Sequence, residues 1–204
     1  MTIHYVEQGT PEWLELRRGK LTGSNAHTIA TNGKGLETYC FEIVAEKYAK
    51  IAKENYMNEH MQRGKELENV ARSLYELQTD EQIEQVGFIE MDEHVGVSPD
   101  GLCEDYGGIE IKCHANKEHF RLLLGEEIDI KYWWQIQMNL LVSGRQWWKY
   151  VAFNPNYEQE LIIREIEPDP DAFAKLKIGI TNGKELIQEI EKQYGRHSTQ
   201  QSSR

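Results

Sequence analysis

The chain is poor in several features that would mark a protein class. It has three cysteines, Cys40, Cys103 and Cys113, an odd number with no CxxC spacing, which excludes a disulfide framework and a four-cysteine zinc or iron–sulfur site. No stretch approaches the ~18 consecutive apolar residues of a membrane helix, and the opening "MTIHYVEQGTPEW" lacks the basic-then-apolar plan of a secretion signal. A cytoplasmic protein with no membrane partner is expected. No repeat and no proline- or glycine-rich linker divides the 204 residues, so one domain is expected over 1–194, with a disordered tail, "GRHSTQQSSR", over 195–204. Cations are also in the minority: 23 Lys and Arg stand against 34 Asp and Glu, a net charge of −11. Most of such a surface repels phosphate, so contact with nucleic acid must be local.

The composition, 39% hydrophobic and 28% charged, is that of a globular chain long enough for one packed core. "PEWLELRRG" and "TGSNAHTIAT" read as two short helices around Gly19, the second with Thr22 or Ser24 as N-cap. Apolar residues recur every three or four positions over 36–54 and 60–78, which predicts two longer helices. "QIEQVGFIEM", "VGVSPDGL" and "GGIEIKC" read as an antiparallel meander. The helix "IKYWWQIQMNLLVSG", the strands "WWKYVAFNP" and "ELIIREIEP", and a last helix from residue 170 ending near Gly195 complete an α/β (α+β) fold, a mixed central sheet flanked by helices.

The stretch "VGVSPDGLCEDYGGIEIKCHAN", 95–116, carries charge where strands keep apolar residues. Glu110 and Lys112 are two apart and project from one face, leaving Ile109, Ile111 and Cys113 for the core. Asp100 follows Pro99, and a short turn brings it beside Glu110. Two carboxylates that close call for a cation, and Mg²⁺, with Mn²⁺ as a substitute, prefers such oxygen ligands. A lysine amine beside them can orient or deprotonate an attacking water, a combination suited to phosphodiester hydrolysis. The same spacing also makes an exposed salt bridge on a sheet face.

The blocks "WLELRRGKLTGSNA", "RGKELENVARSLYE", "VGVSPDGL", "GIEIKC" and "WWQIQMNLLVSGRQWWKYVAFNP" occur in an order that resembles the phage lambda exonuclease and YqaJ-like recombinase nucleases of the PD-(D/E)xK superfamily, from about Trp13 to Pro155. The resemblance implies a restriction-endonuclease-like core. It implies Asp100, Glu110 and the Ile111 carbonyl as metal ligands, Lys112 beside the attacking water, Glu68 as a supporting helix carboxylate, and Gln135 reaching the lysine and the water. It implies a 5′-phosphate pocket of Arg17, Ser24 and Ser98, an apolar DNA-end wedge at Met61, and Lys34 in a loop entering DNA. Read as residues alone, Arg17 could instead pair with Glu12 or Glu15, Ser24 could cap its helix, Met61 could pack in the core, and Glu68 and Gln135 could be ordinary helix positions. Asp92 falls near a family acidic position across a shorter turn. His114 and His119 are read as surface histidines, and Trp133, Trp134, Trp147 and Trp148 as core or subunit contact.

As activity, the resemblance implies a Mg²⁺-dependent 5′-to-3′ exodeoxyribonuclease that releases 5′-mononucleotides from linear duplex DNA and leaves a 3′ single strand. It implies a ring-shaped homotrimer and a single-strand annealing protein as partner in a phage or prophage setting. A structure-specific or nicking endonuclease, and a DNA-end-binding protein without turnover, are the rival readings.

Overall fold

The computed structural model describes residues 1–49 and 59–201, with the backbone alone for 59–63, 65 and 197–201. Strand β1 (Thr2–His4) is followed by helix α1 (Pro11–Arg17). Thr10 caps α1 by accepting from Trp13 N at 3.3 Å, and Pro11 opens it where a missing N–H costs nothing. Strand β2 (Leu21–Thr22), a 3-10 turn (Gly23–Asn25) and α2 (Ala26–Thr31) come next, then α3 (Lys34–Tyr48) and α4 (Glu59–Thr79). The helix expected over 36–54 ends within the described residues at Tyr48, with Ala49 extended; 50–54 lie outside them.

Strands β3 (Ile83–Glu84), β4 (Phe88–Asp92), β5 (Val95–Val97), β6 (Gly101–Cys103) and β7 (Gly107–Cys113) lead to α5 (Asn116–Leu123), α6 (Ile130–Ser143), β8 (Trp147–Phe153), β9 (Leu161–Ile166) and α7 (Pro170–Gln201). Instead of one meander in one sheet there are two mixed sheets, ordered β1-β4-β5-β2 and β3-β6-β7-β8-β9. The break falls at Ser98-Pro99-Asp100. Pro99 has no N–H for a ladder, and its carbonyl accepts from Gln8 Nε2 at 2.8 Å. The chain therefore leaves the first sheet after β5 and enters the second at β6.

The last helix also departs from expectation. It runs through Gly195 to Gln201 rather than ending near Gly195. One glycine costs a helix only about 1 kcal/mol, and no proline follows to stop it. Helix α6 starts at the Asp129 cap, which accepts from Lys131 N at 2.9 Å, and ends where Gly144 takes up φ 67°.

The five-stranded sheet has a core on each face. On one, Trp148, Tyr150 and Ala152 of β8 pack with α2, α6 and α7. On the other, Ile109 and Ile111 of β7 pack with Val151, Phe153, Ala71 and Tyr75 under α4. Glu110 is in register with Tyr150, so alternation turns it toward α6 while its neighbours turn toward α4. Strand β6 pairs with β7 only from Gly101↔Ile109 to Cys103↔Gly107. Residues 110–113 thus continue past β6 and leave a notch in the sheet.

Candidate active site

The notch brings Asp100, Glu110 and Lys112 together. Asp100 stands just before β6, and its Oδ2 accepts the Ile111 N–H at 2.7 Å, filling the place where a neighbouring strand would bond. N–H and C=O of one strand residue face the same edge, so the Ile111 carbonyl opens onto the notch as well. Glu110 is 0% exposed. Its Oε1 accepts from Lys112 Nζ at 2.5 Å and Gln135 Nε2 at 2.6 Å, and its Oε2 from Asn139 Nδ2 at 3.1 Å. Gln135 therefore reaches the carboxylate that holds the lysine. Lys112 Nζ also lies 5.3 Å from the centre of the Tyr132 ring.

Helix α4 closes the other side. Arg72, 7% exposed, donates to Glu68 Oε1 at 2.6 Å, to the Asp100 carbonyl at 3.2 Å and to Asn69 Oδ1 at 2.9 Å. It pins Glu68 and the backbone of Asp100 to the same guanidinium. Glu68 is thereby fixed at the site instead of being an ordinary solvated helix position.

The electrostatics are those of crowded carboxylates. Burial first, and Asp100 second, push the Glu110 carboxyl up to about 7, against Lys112 and Asn139. Burial and Asp100 likewise push Glu68 up to about 7, against Arg72 and Lys112. Burial alone would lower the Lys112 amine, but Glu110 and Asp100 outweigh it and raise it, so the lysine is an ammonium donor at neutral pH. Two carboxyls raised by burial and by one shared neighbour fit a hard divalent cation, and the carboxylates and the Ile111 carbonyl offer it oxygens. Among the described residues no three His, Cys, Asp or Glu side chains form a ready metal cage.

A second cluster lies along the first sheet. Arg17 donates from one guanidinium nitrogen to Ser98 Oγ at 2.9 Å, stacks 4.4 Å over the Trp13 ring, and pairs with neither Glu12 nor Glu15; Arg18 meets Glu15 instead. Trp13 Nε1 also donates to Ser98 Oγ, at 3.0 Å. With both Ser98 lone pairs taken, its own O–H has no acceptor among the described residues and can turn to an incoming one. Burial lowers the Arg17 guanidinium, and no carboxylate among the described residues forms an ion pair with it, the condition of an anion site. Ser24 is exposed and meets Thr22 Oγ1 at 3.2 Å, which in turn meets Tyr39 OH at 3.2 Å. It does not cap α2, whose N-cap is Asn25.

Other expected residues fall elsewhere. The side chain of Met61 lies outside the described residues. Lys34 is the first residue of α3 rather than part of a loop, and lines a groove with Asn182 and Glu189; no contact among the described residues joins it to the carboxylates. Asp92 pairs with Lys184 of α7 at 2.5 Å and accepts from His94 N, a structural role. The two histidines are not surface groups. His119 is 0% exposed, bonded through Nε2 to the Gln159 carbonyl at 2.9 Å, because the amphipathic helix α5, which the sequence reading missed, turns it inward. His114 is half-buried, 2.5 Å from Tyr150 OH, and burial lowers it to about 4. Trp148 is buried in the core and Trp134 packs against it. Asn139 and Arg72 are the site residues that sequence reasoning missed. The available signal was helical phase, since each lies four residues, one turn, after a singled-out residue.

A family model described as a YqaJ-like viral recombinase domain matches residues 12–146. The structure is similar to that of an alkaline exonuclease (LHK-Exo) from Laribacter hongkongensis, with 30% identity, 93% of this chain and 99% of that one covered, and a TM-score of 0.84. LHK-Exo in complex with dAMP matches with the same values. A phage related exonuclease from Haemophilus somnus 129PT, 14% identical over 89% of this chain and 99% of that one at a TM-score of 0.69, shares the fold. No curated protein matches the sequence.

Proposed function

The chain belongs to the YqaJ-like viral recombinase family and is a deoxyribonuclease, and we propose that it is a Mg²⁺-dependent exonuclease that digests one strand of linear duplex DNA from a 5′-phosphorylated end. The observation that carries this reading is the notch beyond β6, where Asp100 and Glu110 converge beside the Lys112 ammonium. Asp100, Glu110 and the Ile111 carbonyl would hold the ion, with Glu68 in support. When bound, Mg²⁺ supplies positive charge against the scissile phosphate and makes water a better nucleophile.

The chain's own groups do the rest. Lys112, fixed on Glu110, donates toward the attacking water and the phosphate it approaches, while Gln135 keeps the pair in place. The water oxygen bonds to phosphorus and gives up one proton to solvent, the P–O3′ bond breaks, and the 3′ oxygen takes up one proton from solvent. One 5′-mononucleotide leaves, and the next nucleotide again carries a 5′-phosphate. Arg17, with the O–H of Ser98 and the exposed Ser24, would grip that phosphate and set the 5′-to-3′ direction.

The exposed 3′ strand would pass to a single-strand annealing protein in the cytoplasm of a phage- or prophage-bearing host, and a homotrimeric ring would keep the enzyme on its duplex. The test is digestion of linear duplex with 5′-phosphoryl or 5′-hydroxyl ends, with and without Mg²⁺, beside covalently closed circles. Loss of 5′-phosphoryl duplex only with Mg²⁺, slower loss of 5′-hydroxyl duplex and intact circles are expected. Cut circles would mean a nicking or structure-specific endonuclease, and binding of ends without turnover a non-catalytic protein.

A further inference from the structure

Helix α6 is packed on several sides, by α2, α7, the 3-10 turn and strands of both sheets. Ile136, Met138, Leu140 and Val142 are all buried in it, and Asn139 lies among them at 1% exposure. Its Nδ2 reaches Glu110 Oε2 at 3.1 Å, while its Oδ1 is buried with no partner among the described residues. Turning the amide over would set Oδ1 against the carboxylate, so the donor orientation is fixed and the orphan acceptor follows from it. A buried polar group with half its capacity unused is costly, and a leucine would fill the same space. The donor to Glu110 is what distinguishes asparagine here. Gln135, one turn earlier, covers the other oxygen, so each oxygen of Glu110 has its own amide.

The far side of Asn139 meets the 3-10 turn. A Cβ on Gly23 would stand 3.1 Å from Asn139 Oδ1, 3.2 Å from Val97 Cγ1 and 3.7 Å from Gln135 Cγ. The turn that carries Ser24 therefore stands so close to the Asn139 amide oxygen and the Gln135 stem that even a methyl group on Gly23 would press on them.

We propose that Asn139 is a positioning residue that locks the Glu110 carboxylate for its cation and, through its contact with Gly23, couples the Ser24 turn to the metal site. This rests on the reading of Asp100 and Glu110 as metal ligands, and its test separates the two. Mn²⁺ binding to the protein without DNA is measured by calorimetry for wild type, Glu110→Gln, Asn139→Leu and Gly23→Ala, with folding checked by circular dichroism. Second-layer partners are typically worth about 10- to 100-fold in metal affinity. Asn139→Leu is expected to weaken Mn²⁺ binding by that much and to raise the Mg²⁺ needed for half-maximal digestion in step, with KM for DNA unchanged. Gly23→Ala, which presses on the same amide from outside, should shift both in the same direction by less, and it stands in if Asn139→Leu does not fold.

Binding lost in Glu110→Gln but unchanged in folded Asn139→Leu, or in Gly23→Ala if that variant has to stand in, overturns the positioning role and leaves the metal site intact. Binding unchanged in Glu110→Gln overturns both.

Discussion

An ammonium held 2.5 Å from a fully buried carboxylate serves chemistry or structure, and the two roles predict different variants. As a catalytic donor, Lys112 contributes to the reaction and little to the grip on duplex. Lys112→Ala should lower the single-turnover rate about 10²- to 10⁴-fold, the range for one positioned proton donor or acceptor, while duplex binding measured by fluorescence anisotropy stays within about threefold. Cleavage at the wild-type rate would remove Lys112 from the reaction. At this scale the sequence was informative where charge broke a strand's alternation: "EIK" sets Glu110 and Lys112 on one face by its spacing alone, and "SPDG" sets Asp100 at a turn. It was uninformative for Asn139 and Arg72, because a polar residue in a helix reads as solvent-facing until the packing of that helix is known.

At the scale of elements, α4 and α6 close on the notch from opposite faces of the sheet, and the carboxylates they trap tie stability to pH. Glu68 and Glu110 bind protons more tightly in the folded chain, at about 7, than at the ordinary glutamate value of 4.5. The folded state thus holds more protons between those values, and their contribution to stability is complete below about 4.5 and disappears as pH rises to about 7. His114, lowered to about 4, acts in the opposite sense over part of that window, so a difference measurement is needed. Urea unfolding of wild type minus Glu110→Gln should fall as pH rises from 5 to 7 without divalent ions, and Mg²⁺ should restore much of the loss for wild type alone. A flat difference would show that Glu110 is not strained by burial. The long helices and β7 to β9 were legible because each spans enough residues to show a period. Strands of two or three residues show none; β1 and β2 exist because β4 and β5, some seventy or more residues away, pair with them.

The whole molecule sets a −11 net charge against a substrate of like sign. Most of its surface repels DNA, so affinity must concentrate where cations are left out of ion pairs, and Arg17 beside Ser98, which forms none among the described residues, is such a place. On the proposed reading, an enzyme built this way would recognise ends rather than the length of a duplex. In competition against a labelled 5′-phosphorylated duplex with Ca²⁺ in place of Mg²⁺, an unlabelled open duplex should displace the label at about a tenth or less of the concentration needed of the same duplex with both ends closed by hairpins. The advantage should shrink for 5′-hydroxyl ends and vanish in Arg17→Ala. The proposed homotrimeric ring would make the same demand in a second way, because hairpin caps would block threading, and sedimentation at the protein concentration of the assay would show whether three chains travel together. Equal competition by open and closed duplexes would mean that the chain binds along the helix. Its excess of acid would then have to be overcome by cations other than Arg17, and the assignment of the Arg17–Ser98 pair to the 5′-phosphate would fall with it.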